Sequence, residues 1–171
     1  MAKIGLLSDS HGRTQTTLRA VDLLLDQGID VLLHLGDVGS VEVVDALAVE
    51  GVTDRPVDSR LVFGNTDWDI PAMSQYAQTL GIAVDHPAGR IELDGKRLAF
   101  CHGHVEADME DALRDGVDYL CHGHTHRCSD ERRGQTRVIN PGALFRASRY
   151  TVAVLDTQTD EVAVHEVPTA G

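Results

Sequence analysis

The chain has 171 residues, of which 42% are hydrophobic and 25% charged, and its formal net charge is −12. This length and composition are typical of a globular protein, and we expect residues 1–171 to fold as a single domain. The negative charge argues against extensive electrostatic binding to nucleic acid or to an anionic membrane surface. No stretch approaches the ~20 apolar residues of a membrane span. Three cysteines without an export signal favour a reduced, cytoplasmic protein.

The first 65 residues alternate between strand-like and helix-like segments. Leu18, Val21, Leu24 and Leu25 recur at helical spacing, whereas the apolar run 4–8 lacks alternation, as in a strand buried on both faces. The predicted elements are strand 4–8, helix 14–27, strand 30–35, helix 41–50 and strand 59–63. Such strand–helix–strand alternation predicts a parallel sheet with helical cover.

The rest of the chain is richer in strands. Asp94-Gly95 is a strong hairpin turn signal between two strand-like segments. The predicted elements are helix 71–80, strand 81–84, the hairpin strands 89–93 and 97–100, helix 107–115, strand 118–121, and strands 136–139, 151–155 and 161–167. The sequence therefore predicts an α/β protein whose sheet is mixed.

Polar residues suited to binding metal follow five of the predicted strands. Ligands gather at the carboxyl ends of strands in α/β sheets, and glycine there permits sharp turns and close approach. The segments are Asp9-Ser10-His11, Gly36-Asp37, Gly64-Asn65-Thr66-Asp67, His102-Gly103-His104 and Gly123-His124-Thr125-His126. Mixed carboxylate and imidazole ligands suit Mn²⁺, Fe, Zn²⁺ or Ni²⁺ better than Ca²⁺. About seven ligands are too many for one four-coordinate ion, but they suit two ions that share a bridge.

The motifs DSH, GD, GNTD, HGH and GHTH, in this order, resemble the calcineurin-like metallophosphoesterase superfamily. Within it the chain is similar to the small phosphodiesterases of the YfcE type, and NPGA at residues 140–143 adds to the likeness. The resemblance covers residues 3 to about 150 and implies a four-layer αββα sandwich with mixed β-sheets. It implies a metal-dependent phosphoesterase, with a tilt towards diesters, in which a hydroxide bridging two ions attacks a small phosphate ester.

The resemblance also implies a role for each ligand. Asp9, His11 and His126 would hold the first ion, Asn65, His102 and His124 the second, and Asp37 would bridge the two. Manganese is the first expectation for both ions, with Fe, Zn and Ni as alternatives. For the second ion, His102 is preferred over His104 by alignment of the motif.

One position departs from the common pattern of the superfamily. Many members carry histidine after the motif's asparagine, whereas this chain has Thr66. The general acid is therefore left open between His104, Asp67 and a metal-bound water. Arg13, Arg127 and Arg146 lie near the motifs in sequence and are candidates for binding a second phosphate or a leaving group.

Other histidines and the cysteines have simpler interpretations. His34 and His122 are either groups that orient a ligand or buried histidines with satisfied hydrogen bonds. Cys101 and Cys121 end predicted strands, where we expect them to be small buried apolar residues rather than zinc ligands. No role is predicted for Cys128.

Two other functions compete with the phosphoesterase. A non-catalytic protein-interaction scaffold of the VPS29 type has a similar fold, but that branch has lost metal ligands that this chain retains. A nuclease is disfavoured by the acidic charge. We expect a small phosphate ester as partner, no membrane and no nucleic acid, and the sequence leaves a homo-oligomer open.

Overall fold

The computed structural model describes residues 2–169, and in this range the chain forms four helices and eleven strands. The helices are α1 (Thr14–Asp26), α2 (Val41–Ala46), α3 (Ile70–Thr79) and α4 (Glu106–Arg114). The strands are β1 (Lys3–Leu7), β2 (Val31–Leu35), β3 (Asp58–Val62), β4 (Ala83–Val84), β5 (Ala88–Leu93), β6 (Lys96–Cys101), β7 (Tyr119–Cys121), β8 (Ser129–Arg133), β9 (Thr136–Asn140), β10 (Thr151–Asp156) and β11 (Glu161–Glu166).

The strands form two mixed sheets. The first has the order β11-β10-β1-β2-β3-β4, and the second has the order β5-β6-β7-β9-β8. In the first sheet β1, β2, β3 and β4 are parallel to one another, while β10 and β11 are antiparallel to their neighbours. In the second, β6, β7 and β9 are parallel, and the outer strands β5 and β8 are antiparallel. In each sheet the parallel strands therefore end at one common edge.

Side-chain alternation along the strands assigns apolar residues to three separate cores. On β2, Leu32 packs with helical residues such as Leu24, whereas Leu33 packs between the sheets with Phe100. A third cluster, including Leu120 and Ala112, lies between the second sheet and α4. The layers are therefore helices α1–α3, the first sheet, the second sheet and α4. This confirms the four-layer αββα sandwich.

Two element assignments from the sequence need correction. Helix 41–50 was predicted too long, because α2 ends at Ala46 and the next N–H groups, of Leu47 and Ala48, bond to carbonyls three residues back. Strand β8 was not predicted, since all five of its residues are exposed and four are charged. Its strand conformation follows from its pairing with β9 rather than from a pattern in its sequence. Among residues 2–169 no helix is long and apolar enough to cross a bilayer.

Candidate metal centre

The carboxyl ends of the parallel strands in both sheets meet at one place. In the first sheet, the Asp9 N–H donates to the Gly36 carbonyl at 3.0 Å and the His11 N–H to the Asp37 carbonyl at 2.9 Å. In the second, the Gly123 N–H donates to the His102 carbonyl at 2.9 Å. The His124 N–H then donates to Asp9 Oδ2 at 3.1 Å, which joins the two sheets. Four loops that are distant in sequence are thereby fixed against one another.

Four of the predicted ligands form a compact cluster. Ligand atoms of Asp9, His11, Asp37 and His126 all lie within 4.8 Å of one another. His126 Nε2 is 3.2 Å from Asp9 Oδ1, and His11 Nε2 is 3.4 Å from Asp37 Oδ2. The first predicted ion site and its bridging carboxylate are thus brought together.

Asp37 also faces the second group of predicted ligands. Its Oδ2 atom is 3.3 Å from His102 Nε2, nearly the same distance as from His11 Nε2. The His102 ring in turn meets the His124 ring edge-on, with centroids 5.2 Å apart. Asn65 lies in the turn after β3, where the next N–H, of Thr66, donates to Asp37 Oδ1 at 3.0 Å. Asp37 therefore sits between two sets of ligands.

Three ligand atoms are buried and have no hydrogen-bond partner among the described residues. They are Asp9 Oδ1, His11 Nε2 and His102 Nε2. Burying a polar atom without a partner is costly, and a buried carboxylate needs a compensating charge. Divalent cations bound here would satisfy the carboxylate oxygen and both imidazole nitrogens, so these residues fit a metal centre.

The protonation states of the site residues follow from burial and neighbouring charge. Burial raises the pKa of Asp9 and lowers that of His11. Burial would also raise the pKa of Asp37, but His102 and the Thr66 N–H stabilise its carboxylate, and the net pKa lies well below its usual range. The two carboxylates are therefore unequal before any cation binds.

His102 is held in one tautomer by a backbone carbonyl. Its Nδ1 atom lies 2.7 Å from the Leu35 oxygen, which can only accept a hydrogen bond. Nδ1 consequently carries a proton, and Nε2, 3.3 Å from Asp37 Oδ2, is the ring nitrogen that can bind a metal when it is deprotonated.

Five predicted ligands have a left-handed backbone conformation. Asp9, His11, Asp37, His124 and His126 have φ between 44° and 68°. Non-glycine residues adopt this region rarely and at a cost of order 1 kcal/mol or more each, and such residues cluster at functional sites. The hydrogen bonds between the loops hold these conformations in place.

Two glycines allow the loops to approach closely. A Cβ atom on Gly64 would lie 2.1 Å from Asp37 Oδ1, and one on Gly123 would lie 1.9 Å from Ser8 Oγ and 2.8 Å from Asp9 Oδ2. Any side chain at either position would displace a ligand carboxylate.

His34 and Asn140 support the loops without reaching the ions. The Gly36 N–H donates to His34 Nδ1 at 3.2 Å, so Nε2 carries the proton and donates to Ser10 Oγ at 2.8 Å, between Asp9 and His11. Burial lowers the pKa of His34 to about 3, so the ring is neutral. Asn140 Nδ2 donates to the Gly123 carbonyl at 2.9 Å and to Thr125 Oγ1 at 3.0 Å.

The two residues considered as general acids have different surroundings. Asp67 accepts hydrogen bonds from the N–H groups of Val38, Gly39 and Gly64 at 2.8–3.1 Å, so both of its oxygens act as acceptors. His104 is exposed, and its ring centroid lies 5.3 Å from that of His102 and 6.1 Å from that of His124.

Phe145 contacts the first predicted ion site and was not among the residues predicted from the sequence. Its ring centroid is 5.0 Å from that of His11, and the guanidinium carbons of Arg13 and Arg146 lie 4.7 and 5.1 Å from its own. The guanidinium groups of two of the three candidate arginines are thereby placed against Phe145. Arg127 is exposed, and its backbone N–H donates to Thr125 Oγ1. An aromatic residue two positions after the NPGA segment was the available signal.

The cysteines take no part in the site. Cys101 and Cys121 are buried at the ends of β6 and β7, as predicted, and Cys128 is exposed. All three are free thiols.

Comparison with known proteins agrees with the arrangement of ligands. Residues 2–160 match the model of the calcineurin-like phosphoesterase superfamily domain. The chain belongs to this superfamily. Among curated proteins it is 26% identical to phosphodiesterase MJ0936 of Methanocaldococcus jannaschii, over 93% of this chain and 95% of that protein. It is 31% identical to phosphodiesterase YfcE of Escherichia coli K12, over 84% of this chain and 80% of that protein.

Solved structures share the fold. An archaeal phosphodiesterase superposes with a TM-score of 0.84 at 24% identity, covering 96% of this chain and 99% of the other. Vps29 of Entamoeba histolytica, solved with Zn²⁺, superposes with a TM-score of 0.62 at 19% identity, covering 96% and 91%. This calcineurin-like phosphoesterase is therefore a metal-dependent hydrolase by family and donor set, although its fold alone also occurs in Vps29.

Proposed function

We propose that the chain hydrolyses a small phosphodiester with the help of two divalent ions. The observation that carries this proposal is the convergence of Asp9 Oδ1, His11 Nε2 and His102 Nε2, all buried and unpartnered, around the Asp37 carboxylate. We propose that one ion is held by Asp9, His11 and His126, and that the other is held by Asn65, His102 and His124. Asp37 would bind both ions. When bound, the ions supply Lewis-acid activation of water and neutralise charge on the phosphoryl oxygens. Manganese is our first proposal for their identity, with Fe, Zn and Ni as alternatives.

The protein's own residues position the ester and handle its protons. Arg13 and Arg146, beside Phe145 and His11, supply positive charge in a strongly acidic protein, and we propose that they bind an anionic part of the ester. His104, at the exposed side of His102 and His124, is proposed to donate a proton to the departing oxygen. Asp67 is assigned a bracing role instead, because its oxygens hold the loops after β2 and β3.

The scaffold alternative is less well supported. Its fold is the same, but a scaffold has no need for three unpartnered buried ligand atoms or for five ligands in a costly backbone conformation. The free thiols fit the cytoplasmic location that we propose.

A reconstitution experiment tests the proposed function. Protein stripped with a chelator is reloaded with Mn²⁺, Fe²⁺, Zn²⁺ or Ni²⁺ and assayed on matched phosphate monoesters and diesters, and bound metal is measured by elemental analysis. We expect diester cleavage that is lost in Asp37→Ala and His124→Ala and retained in Glu110→Gln, an exposed change on α4. Tight metal binding without cleavage of any ester would support the scaffold instead.

A further inference from the structure

A cleft is lined in part by the loops after β2 and β3, which also carry predicted metal ligands. It has a volume of about 480 Å³, within the range of small-molecule sites. Gly39 and Ser40 form one wall and Trp68 and Asp69 another. Gly39 follows Asp37 by two residues, and Trp68 follows Asn65 by three. The cleft is thus continuous in the chain with the ligands of both proposed ions.

Asp67 fixes the two walls relative to the metal centre. Its carboxylate accepts the Gly39 N–H at 2.8 Å from one wall and the Gly64 N–H at 2.8 Å from the loop that leads to the other. Trp68 is the residue after Asp67, so the same hydrogen bonds also fix the position of its backbone. A group bound in the cleft therefore has a defined placement relative to Asp37.

The lining of the cleft is aromatic and apolar. Trp68 is 74% exposed, an unusual state for the largest apolar side chain, and it is the chain's only tryptophan. Val41 and Tyr76 line the cleft and are also exposed, whereas Met73 is a buried member of the lining. An exposed aromatic face next to apolar side chains suits the stacking of a planar ring.

The charge of the cleft excludes anions. Glu42 and Asp69 line it, the Tyr76 hydroxyl is hydrogen-bonded to Asp45, and none of the nine lining residues is basic. A second phosphate would be repelled here, whereas the Arg13 and Arg146 side of the centre would attract one. The cleft therefore fits an uncharged ring, and its carboxylates can accept hydrogen bonds from ring amino groups.

We propose that this cleft binds the neutral planar aromatic group of the phosphoester substrate, by stacking on Trp68. The proposal rests on the proposed hydrolysis at the metal centre and adds the class of substrate: a phosphate ester of a nucleoside or of an aryl alcohol. The phosphoryl group would lie at the metal centre and the ring in the cleft.

Product-like ligands in matched pairs test the proposal without requiring turnover. Adenosine 5′-monophosphate is compared with ribose 5-phosphate, and phenyl phosphate with ethyl phosphate, so each pair differs only in the ring-bearing group. Affinities are measured by calorimetry, with and without Zn²⁺, and binding is followed by the fluorescence of Trp68. We expect the ring-bearing member of at least one pair to bind about 5- to 100-fold tighter and to quench the fluorescence. The ratio of the two affinities in a pair should be the same after the metal is removed, because the difference in affinity arises from the cleft.

Variants test whether the difference in affinity within each pair arises in the cleft. Trp68→Leu should reduce the ratio within each pair to near one and leave the affinity for ribose 5-phosphate unchanged. Trp68→Phe should retain part of the ratio, and Val164→Ala, an exposed apolar change on β11, should leave it intact. The pair that shows the larger ratio tells whether the ring is a nucleobase or an aryl group.

Two of three decisive outcomes overturn the inference, and the other overturns the proposed function. Equal affinities within both pairs, with ester cleavage intact, would remove the aromatic site and leave the proposed function standing. Absence of any ester cleavage would instead overturn the proposed function. A dimer in sedimentation experiments that dissociates in Trp68→Leu would mean that a second copy of the chain covers the cleft.

Discussion

His126 Nε2 lies 3.2 Å from Asp9 Oδ1, and this contact joins the end of a strand in one sheet to the end of a strand in the other. Asp9 is fully buried, and its Oδ1 atom has no hydrogen-bond partner among residues 2–169. The contact is therefore arranged for a cation at the expense of the stability of the metal-free protein.

Asp9→Asn should stabilise the metal-free protein and weaken its response to metal. The change removes a buried charge while Asn Oδ1 can still accept the His124 N–H, so we expect a gain of about 1–3 kcal/mol in the free energy of unfolding. Thermal unfolding in chelator measures this gain. With added Mn²⁺ the wild type should gain more stability than the variant, which keeps only the ligands of the second ion intact. A variant whose melting temperature rises with Mn²⁺ as much as that of the wild type would show that Asp9 is not a ligand.

His104→Ala should slow the hydrolysis of esters with poor leaving groups more than the hydrolysis of activated esters. A proton donor matters most when the departing oxygen is a strong base, so we expect a loss of ~10²-fold or more in kcat for an alkyl ester. The loss should be much smaller for a p-nitrophenyl ester. The measurement is kcat across a series of leaving groups at constant metal. Equal losses across the series would assign His104 to the binding of metal or substrate instead.

Arg146→Ala and Arg13→Ala should raise KM with little change in kcat. Both guanidinium groups face Phe145 next to His11, where they can attract an anionic part of the ester without touching the reacting bond. We expect about a tenfold rise in KM that shrinks at high salt, because these charges are partly solvated. Arg114→Ala, in an exposed pair on α4, is the control. A fall in kcat at constant KM would contradict this assignment.

Cys128 should be the single thiol that reacts readily in the folded protein. Burial raises the pKa of Cys101 to about 12 and also raises that of Cys121, and neither side chain is accessible. Cys128 is exposed, although partial burial raises its pKa as well, so its alkylation should speed up with increasing pH. Mass spectrometry of native protein treated with iodoacetamide should find one modified cysteine, and unfolded protein three. Rapid native modification of Cys101 or Cys121 would contradict the burial of β6 and β7.

The fold was predictable to different degrees along the chain. Helix α1 and strands β1 and β2 follow from apolar spacing, because each buries a wide apolar surface. Strand β8 did not, because its five exposed residues carry no apolar signal and its conformation is set by pairing with β9. Arg137, which pairs with Asp130 across these strands, contributes to that pairing from the neighbouring strand.

The surroundings of the site were less predictable than its ligands. Trp68 directly follows the GNTD motif, and Phe145 lies two residues after the NPGA segment. Nothing in their sequence context distinguishes an aromatic ring in the core from one beside a metal centre. Asp67 illustrates the same limit. Its carboxylate is a candidate acid by sequence, and only the tertiary structure brings it the three backbone donors, from two different loops, that support a bracing role.

The sequence by itself determined the residue types of the metal centre and their positions after strands, because metal chemistry demands carboxylates and imidazoles and strand ends are where such loops occur. Only the tertiary structure decided that Asp37 Oδ2 faces both His11 and His102, since that requires two sheets packed so that their strand ends meet. Likewise, only the packed structure set an exposed Trp68 beside those ligands, because the cleft is formed by two loops that no local pattern brings together.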